Sequence, residues 1–433
     1  MATSELAVSA SPIGERASPA QGIARPWRWI GTLFFAEGLP ATVVGTLAAI
    51  FLKHLEVPNA RIAVCVSGLM LPWTLRPLWS PLLEVFATKR FFVIALEGLI
   101  ALCLAAIALV LTSDAGPSLC ILLFAAIALC AATHDMAADG LFIRSLPAEA
   151  QPRYLGWLSV AFNAGKLTAQ GLLVVVVGRL SLWRGAHFAW QVAFGILAAI
   201  TAGLALYHRH ALPNDEPVSP APRSLRHMRT TTAQVVTSFF TNRGNAALLA
   251  LIVVYRLAEG QVVRIAPLFL MDSRQVGGLG LTTSQLGVIY GGLGGIMLAL
   301  GALMGGSLAT RIGERRAVIP LCLCFNVPAL VYLLLAGLAP SLPVIAAAIV
   351  LEQMAYGVGS IGLKLAVLSA AKGPYETAHC AFAGGLAGIG AIVAGMLSGT
   401  VQSTLGYLGF FAWALVAAGA PLIVAWICYR REA

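Results

Sequence analysis

Charged side chains sit inside long apolar runs of this sequence, where an ionised group is costly. The acids are Glu37, Glu97, Asp135, Asp139, Glu259 and Glu352; the bases include Lys166, Arg256, Arg264 and Lys364. His134 and His379 add two groups able to titrate and are counted among the candidates to face substrate. A charge at the centre of a bilayer costs about 2.5–3.5 kcal/mol on insertion scales, so such residues face a bundle interior and mark a pathway.

Their spacing suggests two kinds of chemistry. Asp135 and Asp139 are four apart and share one helix face. Close carboxylates repel when both are ionised, which favours one of them holding a proton. They suit proton coupling, or else an ion pair with Arg144 or Arg153. Glu37 and Glu259 each fall near mid-span and suit either coupling or structural pairing with an Arg. Asn163, Lys166 and Gln170 form one polar stripe, either a cavity wall or a seam between helices. Arg256 and Glu259, three apart, are placed to pair, while Arg264 lies about 80° round the wheel from Arg256. Lys166 and the two guanidinium groups can meet an anionic solute, because Arg forks match carboxylate or phosphate oxygens. Glu352, a further candidate for proton coupling, shares a face with Tyr356, with Lys364 deeper, and His379 stands near a helix start.

The elements that must carry these residues are membrane helices. Hydrophobic residues make up 59% of the 433 and charged residues 11%, against about 25% charged in soluble domains. Too little polar material is present to wet a soluble surface. A membrane helix needs about 20 mostly apolar residues, and twelve such stretches are expected, at 28–52, 60–84, 91–112, 118–141, 154–178, 187–207, 246–271, 283–309, 317–337, 342–370, 375–404 and 406–429. The expected class is an all-α integral membrane protein.

Twelve spans put both termini on one side. Eighteen Lys and Arg fall in segments on that side and five on the other, so the positive-inside bias predicts cytoplasmic termini. The net charge of +10 is this bias rather than a nucleic-acid groove, since no basic cluster carries interleaved aromatics. Residues 1–27 read as a disordered cytoplasmic tail without the layout of a cleaved signal. The polar, Pro-rich stretch 208–245 reads as a linker between a first six-helix bundle, 28–207, and a second, 246–429. The halves echo each other. Ala36, Glu37 and Gly38 in span one are repeated as Ala258, Glu259 and Gly260 in span seven, and Met136–Ala137 in span four as Met354–Ala355 in span ten. Two parallel six-helix repeats are the layout of major facilitator transporters.

Several motifs sharpen the resemblance. The loop Gly306–Arg316 (GSLATRIGERR) is similar to the loop signature of major facilitators, with Thr310 where Asp is usual. Arg311, Gly313, Arg315 and Arg316 would then form a gating loop. Phe35–Pro40 (FAEGLP), Leu71–Pro81 (LPWTLRPLWSP) and Ala132–Asp139 (ATHDMAAD) resemble the AmpG-type muropeptide permeases, the last with His134 in place of the usual Gln. Leu146–Glu149, Tyr375–His379 and Leu405–Tyr407 add to the likeness. The resemblance implies proton-linked import across a bacterial inner membrane, with cell-wall anhydromuropeptides as solute, or a siderophore such as pyochelin. The expected activity is transport of a small amphiphilic anion with protons, by a chain acting as a monomer. A non-transporting membrane sensor is the reading from another class; buried charges in both halves disfavour it.

No enzyme is expected. There is no GxxxxGK[ST] phosphate loop, and no Ser-His-Asp or metal-ligand spacing stands out. The eight cysteines lie in apolar stretches without a CxxC pair, so they read as small buried hydrophobes, with neither metal nor cofactor.

Overall fold

The computed structural model describes residues 26–79, 83, 88–111, 117–146, 151–213, 237, 239, 246–371 and 376–430. Among them every regular element is helical, as a chain must be when its backbone polar groups lie in lipid and have to be satisfied within each segment.

Among the described residues, ten helical stretches are long and apolar enough to cross a membrane. In chain order, α1 is Pro26–His54, α3 Lys89–Val110, α4 Pro117–Ser145, α5 Trp157–Arg184, α6 Ala186–Ala211, α7 Ala246–Met271, α8 Thr283–Ile312, α9 Arg315–Leu338 and α10 Leu342–Ala370. The tenth stretch, Phe382–Tyr429, is 48 residues long and is two crossings. Gly406 bends it with φ +67° and ψ −179°, a conformation that only glycine adopts without strain. Residues 376–405 are therefore α11 and 407–430 are α12. The remaining span, α2, differs from the single run expected at 60–84. It is Asn59–Gly68 continued by the short helix Leu71–Leu75, because Pro72 and Pro77 come in close succession and each removes a backbone donor. The expected tail 1–27 and the linker 208–245 fall mostly outside the described residues; α6 itself runs on to Ala211.

Two six-helix bundles result, α1–α6 and α7–α12. Burial of apolar surface drives little helix association where lipid is equally apolar, so close packing of small residues has to do it. The repeated Glu-Gly pair shows this. A methyl group on Gly38 of α1 would lie 2.1 Å from the Phe162 carbonyl oxygen of α5, and one on Gly260 of α7 would lie 2.7 Å from the Ala391 carbonyl oxygen of α11. The sequence echo is thus the same helix crossing built twice.

At the end opposite the termini each bundle holds an aromatic cluster. Phe51, Phe124, Trp190 and Phe194 pack with ring centroids 5.1–5.9 Å apart in the first, and Phe269, Tyr332, Tyr407 and Phe411 pack similarly in the second. The outer faces expose Leu102, Leu109, Leu303 and Val416, an apolar belt that suits lipid.

Candidate functional site

A cavity of about 270 Å³ lies between the bundles. Six helices line it: α1 with Thr42, Gly45 and Thr46, α2 with Ala63 and Val66, α5 with Phe162, Lys166 and Gln170, α7 with Arg264, α8 with Tyr290, and α10 with Gln353 and Tyr356. Three of these helices carry a π-helical turn at the level of the cavity, Val43–Leu47 in α1, Thr168–Leu172 in α5 and Gly287–Leu293 in α8. Such turns widen a helix, loosen its hydrogen-bond ladder and recur at functional sites. The turns of α5 and α8 face each other, with Gly291 against the Gln170 backbone. A fourth irregularity is in α7, which is broken at Arg256 (φ −97°, ψ 12°).

The electrostatics of the cavity are one-sided. Lys166 comes from the first bundle and Arg264 from the second. Among the described residues neither has a carboxylate within ion-pair distance; Arg264 Nε donates to Ser67 Oγ across the interface at 3.1 Å. Arg256 is engaged instead. Its Nε and Nη2 donate to Glu259 at 2.8 and 2.9 Å, and the Tyr356 hydroxyl donates to Glu259 Oε1 at 2.8 Å. Glu259 is thereby neutralised by Arg256, and Arg264 is left to face the cavity. Glu352 accepts from Gln353 Nε2 at 2.9 Å, and with Glu259 and Tyr356 it borders a small second space.

Other sequence candidates lie elsewhere. Asn163 donates to the Ser159 carbonyl of its own helix, so the stripe contributes Lys166 and Gln170 to the wall without it. Lys364 is exposed. His379 is buried with its ring 5.3 Å from Phe239. His134, expected to face substrate, is fully buried, with Nε2 3.2 Å from Glu97 Oε1. The expected gating loop shrinks to Gly313, φ +85°, between Arg311 on α8 and Arg315 and Arg316 on α9.

The carboxylates of the first bundle form a separate group on the terminus side of the cavity. Asp135 Oδ2 accepts from Trp73 Nε1 at 2.7 Å and lies 4.0 Å from Arg76. Asp135 Oδ1 and Glu37 Oε2 are buried without a hydrogen-bond partner among the described residues. Glu37 is in electrostatic reach of Asp135, Asp139 and Arg76, whereas Asp139 is exposed. A buried carboxyl oxygen without a donor is the situation a bound proton relieves.

A third group, a latch at the end opposite the termini, has no signature in the sequence. Lys53 Nζ is 2.6 Å from Asp272 Oδ1 and donates to Asn59 Oδ1 at 2.8 Å. Asn59 Nδ2 lies 3.2 Å from Asp272 Oδ2, 3.2 Å from Gln402 Oε1 and 2.9 Å from the Tyr407 hydroxyl. Tyr407 also donates to Asp272, and His54 Nε2 lies 3.0 Å from Thr283 Oγ1. These contacts join α1 and α2 to α7, α8, α11 and α12.

Two bundles of membrane helices, latched at one end around a central cavity with unpaired cations, define a membrane carrier. The major facilitator superfamily model matches residues 30–378, and the chain belongs to that superfamily. It is 24% identical over 405 residues to the anhydromuropeptide permease of Escherichia coli (strain K12), covering 92% of this chain and 78% of that one. It is 21% identical over 406 residues to putative transporter AmpG 4 of Rickettsia conorii, covering 90% and 94%. The crystal structure of nucleoside transporter NupG superposes with a TM-score of 0.68 at 16% identity, over 94% of this chain and 98% of that one.

Proposed function

We propose that this chain is a secondary active importer of anhydromuropeptides in a bacterial inner membrane, driven by protons and working by alternating access. The observation that carries this reading is the pair of cations, Lys166 and Arg264, lining one cavity from opposite bundles without carboxylate partners. A carboxylate between them would be held by both bundles at once, so its binding favours their closure around it. Tyr290, Tyr356 and Phe162 give the rest of the wall an aromatic, amphiphilic character suited to sugar and peptide. The likeness to the Escherichia coli permease supports the solute class. The uneven spread of Lys and Arg supports cytoplasmic termini, and with the latch on the other face the present arrangement is then closed toward the outside.

Uptake of radiolabelled anhydromuropeptide into proteoliposomes tests the reading. The wild type accumulates the label when the outside is made acidic, and Lys166→Met or Arg264→Met lowers uptake. Loss of a charge-assisted hydrogen bond worth roughly 1.5–3 kcal/mol corresponds to about a ten- to hundredfold fall. No saturable uptake, or competition by a phenolic siderophore in place of muropeptide, would overturn the substrate assignment.

A further inference from the structure

Next to Asp135 lies a buried chain of titratable groups. Glu97 of α3 stands between two imidazoles. His134 of α4 places Nε2 3.2 Å from Glu97 Oε1, and His208 of α6 places Nδ1 2.8 Å from Oε1 and 2.9 Å from Oε2. His208 Nε2 in turn lies 3.0 Å from the Thr32 hydroxyl of α1. All three titratable side chains are buried to within 1% of complete. Among the described residues the other ring nitrogen of His134, Nδ1, has no hydrogen-bond partner, and it lies 4.0 Å from Asp135 Oδ1, which has none either. Two orphaned polar atoms facing each other inside a membrane bundle are expensive for structure alone. A proton on Asp135 Oδ1 gives His134 Nδ1 a donor once the two close from 4.0 Å to hydrogen-bond distance.

We propose that His134, held by Glu97 and His208, is a second titrating member of the coupling site and shares the coupled proton with Asp135. The inference rests on the proton coupling proposed above. The proton on Asp135 Oδ1 passes to His134 Nδ1: one O–H bond breaks, one N–H bond forms, and an imidazolium and a carboxylate result. The Glu97 carboxylate then faces the imidazolium through Nε2–H, and His208 holds Glu97 in place, so both histidine contacts orient one negative charge toward His134. The other charged groups around the pair are Glu37 on α1, Asp139 one turn along α4, and Arg76 after α2. Arg76 stabilises the carboxylate that the transfer leaves behind. His134 acts on the proton directly, while Glu97 and His208 are positioning residues. A glutamine at 134 keeps a hydrogen bond to Glu97 but cannot take a proton.

The test uses the full-length protein in proteoliposomes with radiolabelled anhydromuropeptide and an entrapped pH dye. Three quantities are measured: accumulation under an imposed pH gradient, proton entry accompanying substrate, and counterflow without a gradient. His134→Gln lowers accumulation and proton entry roughly tenfold or more, the scale of a lost proton-transfer group, while counterflow stays near wild type. Glu97→Gln moves the pH dependence of uptake toward acid, because the imidazolium loses its counter-ion. The inference is overturned if His134→Gln accumulates substrate with wild-type proton entry and pH profile. It is also overturned if counterflow falls in step with accumulation, since the triad would then only hold α3, α4 and α6 together. If the wild type itself moves no protons with substrate, the coupling reading fails first, and that outcome is distinct from the other two.

Discussion

As individual residues, Asp135 and Asp139 share one face of α4 but not one environment. Asp135 is buried, touches Trp73 and Arg76, and has one oxygen without a donor; Asp139 is exposed. A proton has most to gain on the buried one, because burial penalises the charged form far more than the neutral one. Asp135→Asn is therefore expected to abolish accumulation against a gradient and to leave counterflow standing, as the amide imitates the protonated carboxyl in shape. Asp139→Asn is expected to do less. Vesicles loaded with substrate, assayed with and without a pH gradient, separate the two variants. If both variants still concentrate substrate against its gradient, the coupling site moves to Glu37 or Glu259.

Among the helices, the crossings and the latch decide what can move. α1 crosses α5 at Gly38 with no room for a side chain. Gly38→Val forces the helices apart, and overpacking of this kind costs about 1–3 kcal/mol or more. A lower melting temperature in detergent for Gly38→Val and for Gly260→Val checks it, and an unchanged one for either shows that its crossing can relax. The latch works in the opposite sense. Asp272 is the acceptor for Lys53, Asn59 and Tyr407 together, so Asp272→Asn loosens the closed far end by removing the charge they converge on. A cysteine at Thr46, in the cavity wall, placed in a background lacking the native eight, should react faster with an impermeant maleimide from that side in the Asp272→Asn variant. An unchanged rate would show that the aromatic clusters, rather than the latch, hold the far end shut.

For the complete bundle pair, the prediction concerns orientation. The segments on the termini's side carry most of the Lys and Arg, and the positive-inside bias predicts that residue 225, between the expected bundles, lies in the cytoplasm. A cytoplasmically active reporter fused there should be functional, and one active only outside should be silent. The reverse result would invert the molecule and turn the proposed importer's closed face inward.

Solvent and local chemistry made part of this molecule legible from its residues alone. Span number, the division into two halves and the presence of charges in the bundle interior are consequences of hydropathy and insertion cost, which any short window records. Lys166, Gln170, Arg264 and Tyr356 were legible as candidates because a polar residue on an apolar helix needs a protein-lined partner. Their grouping into one cavity was not legible, nor was the withdrawal of Arg256 into a pair with Glu259 while Arg264 stays open. Those depend on helix rotation, on three π-helical turns and on which glycines meet which carbonyls, across sequence separations far beyond any periodicity. Asn59 and Asp272, 213 residues apart, read as ordinary loop-end polars until the fold joins them. His134 reads as a cavity residue until α3 and α6 close over it and leave its one free nitrogen facing Asp135. Tertiary structure decided these points because a hydrogen bond requires two groups within about 3 Å, and only the packing of separate helices brings such groups together.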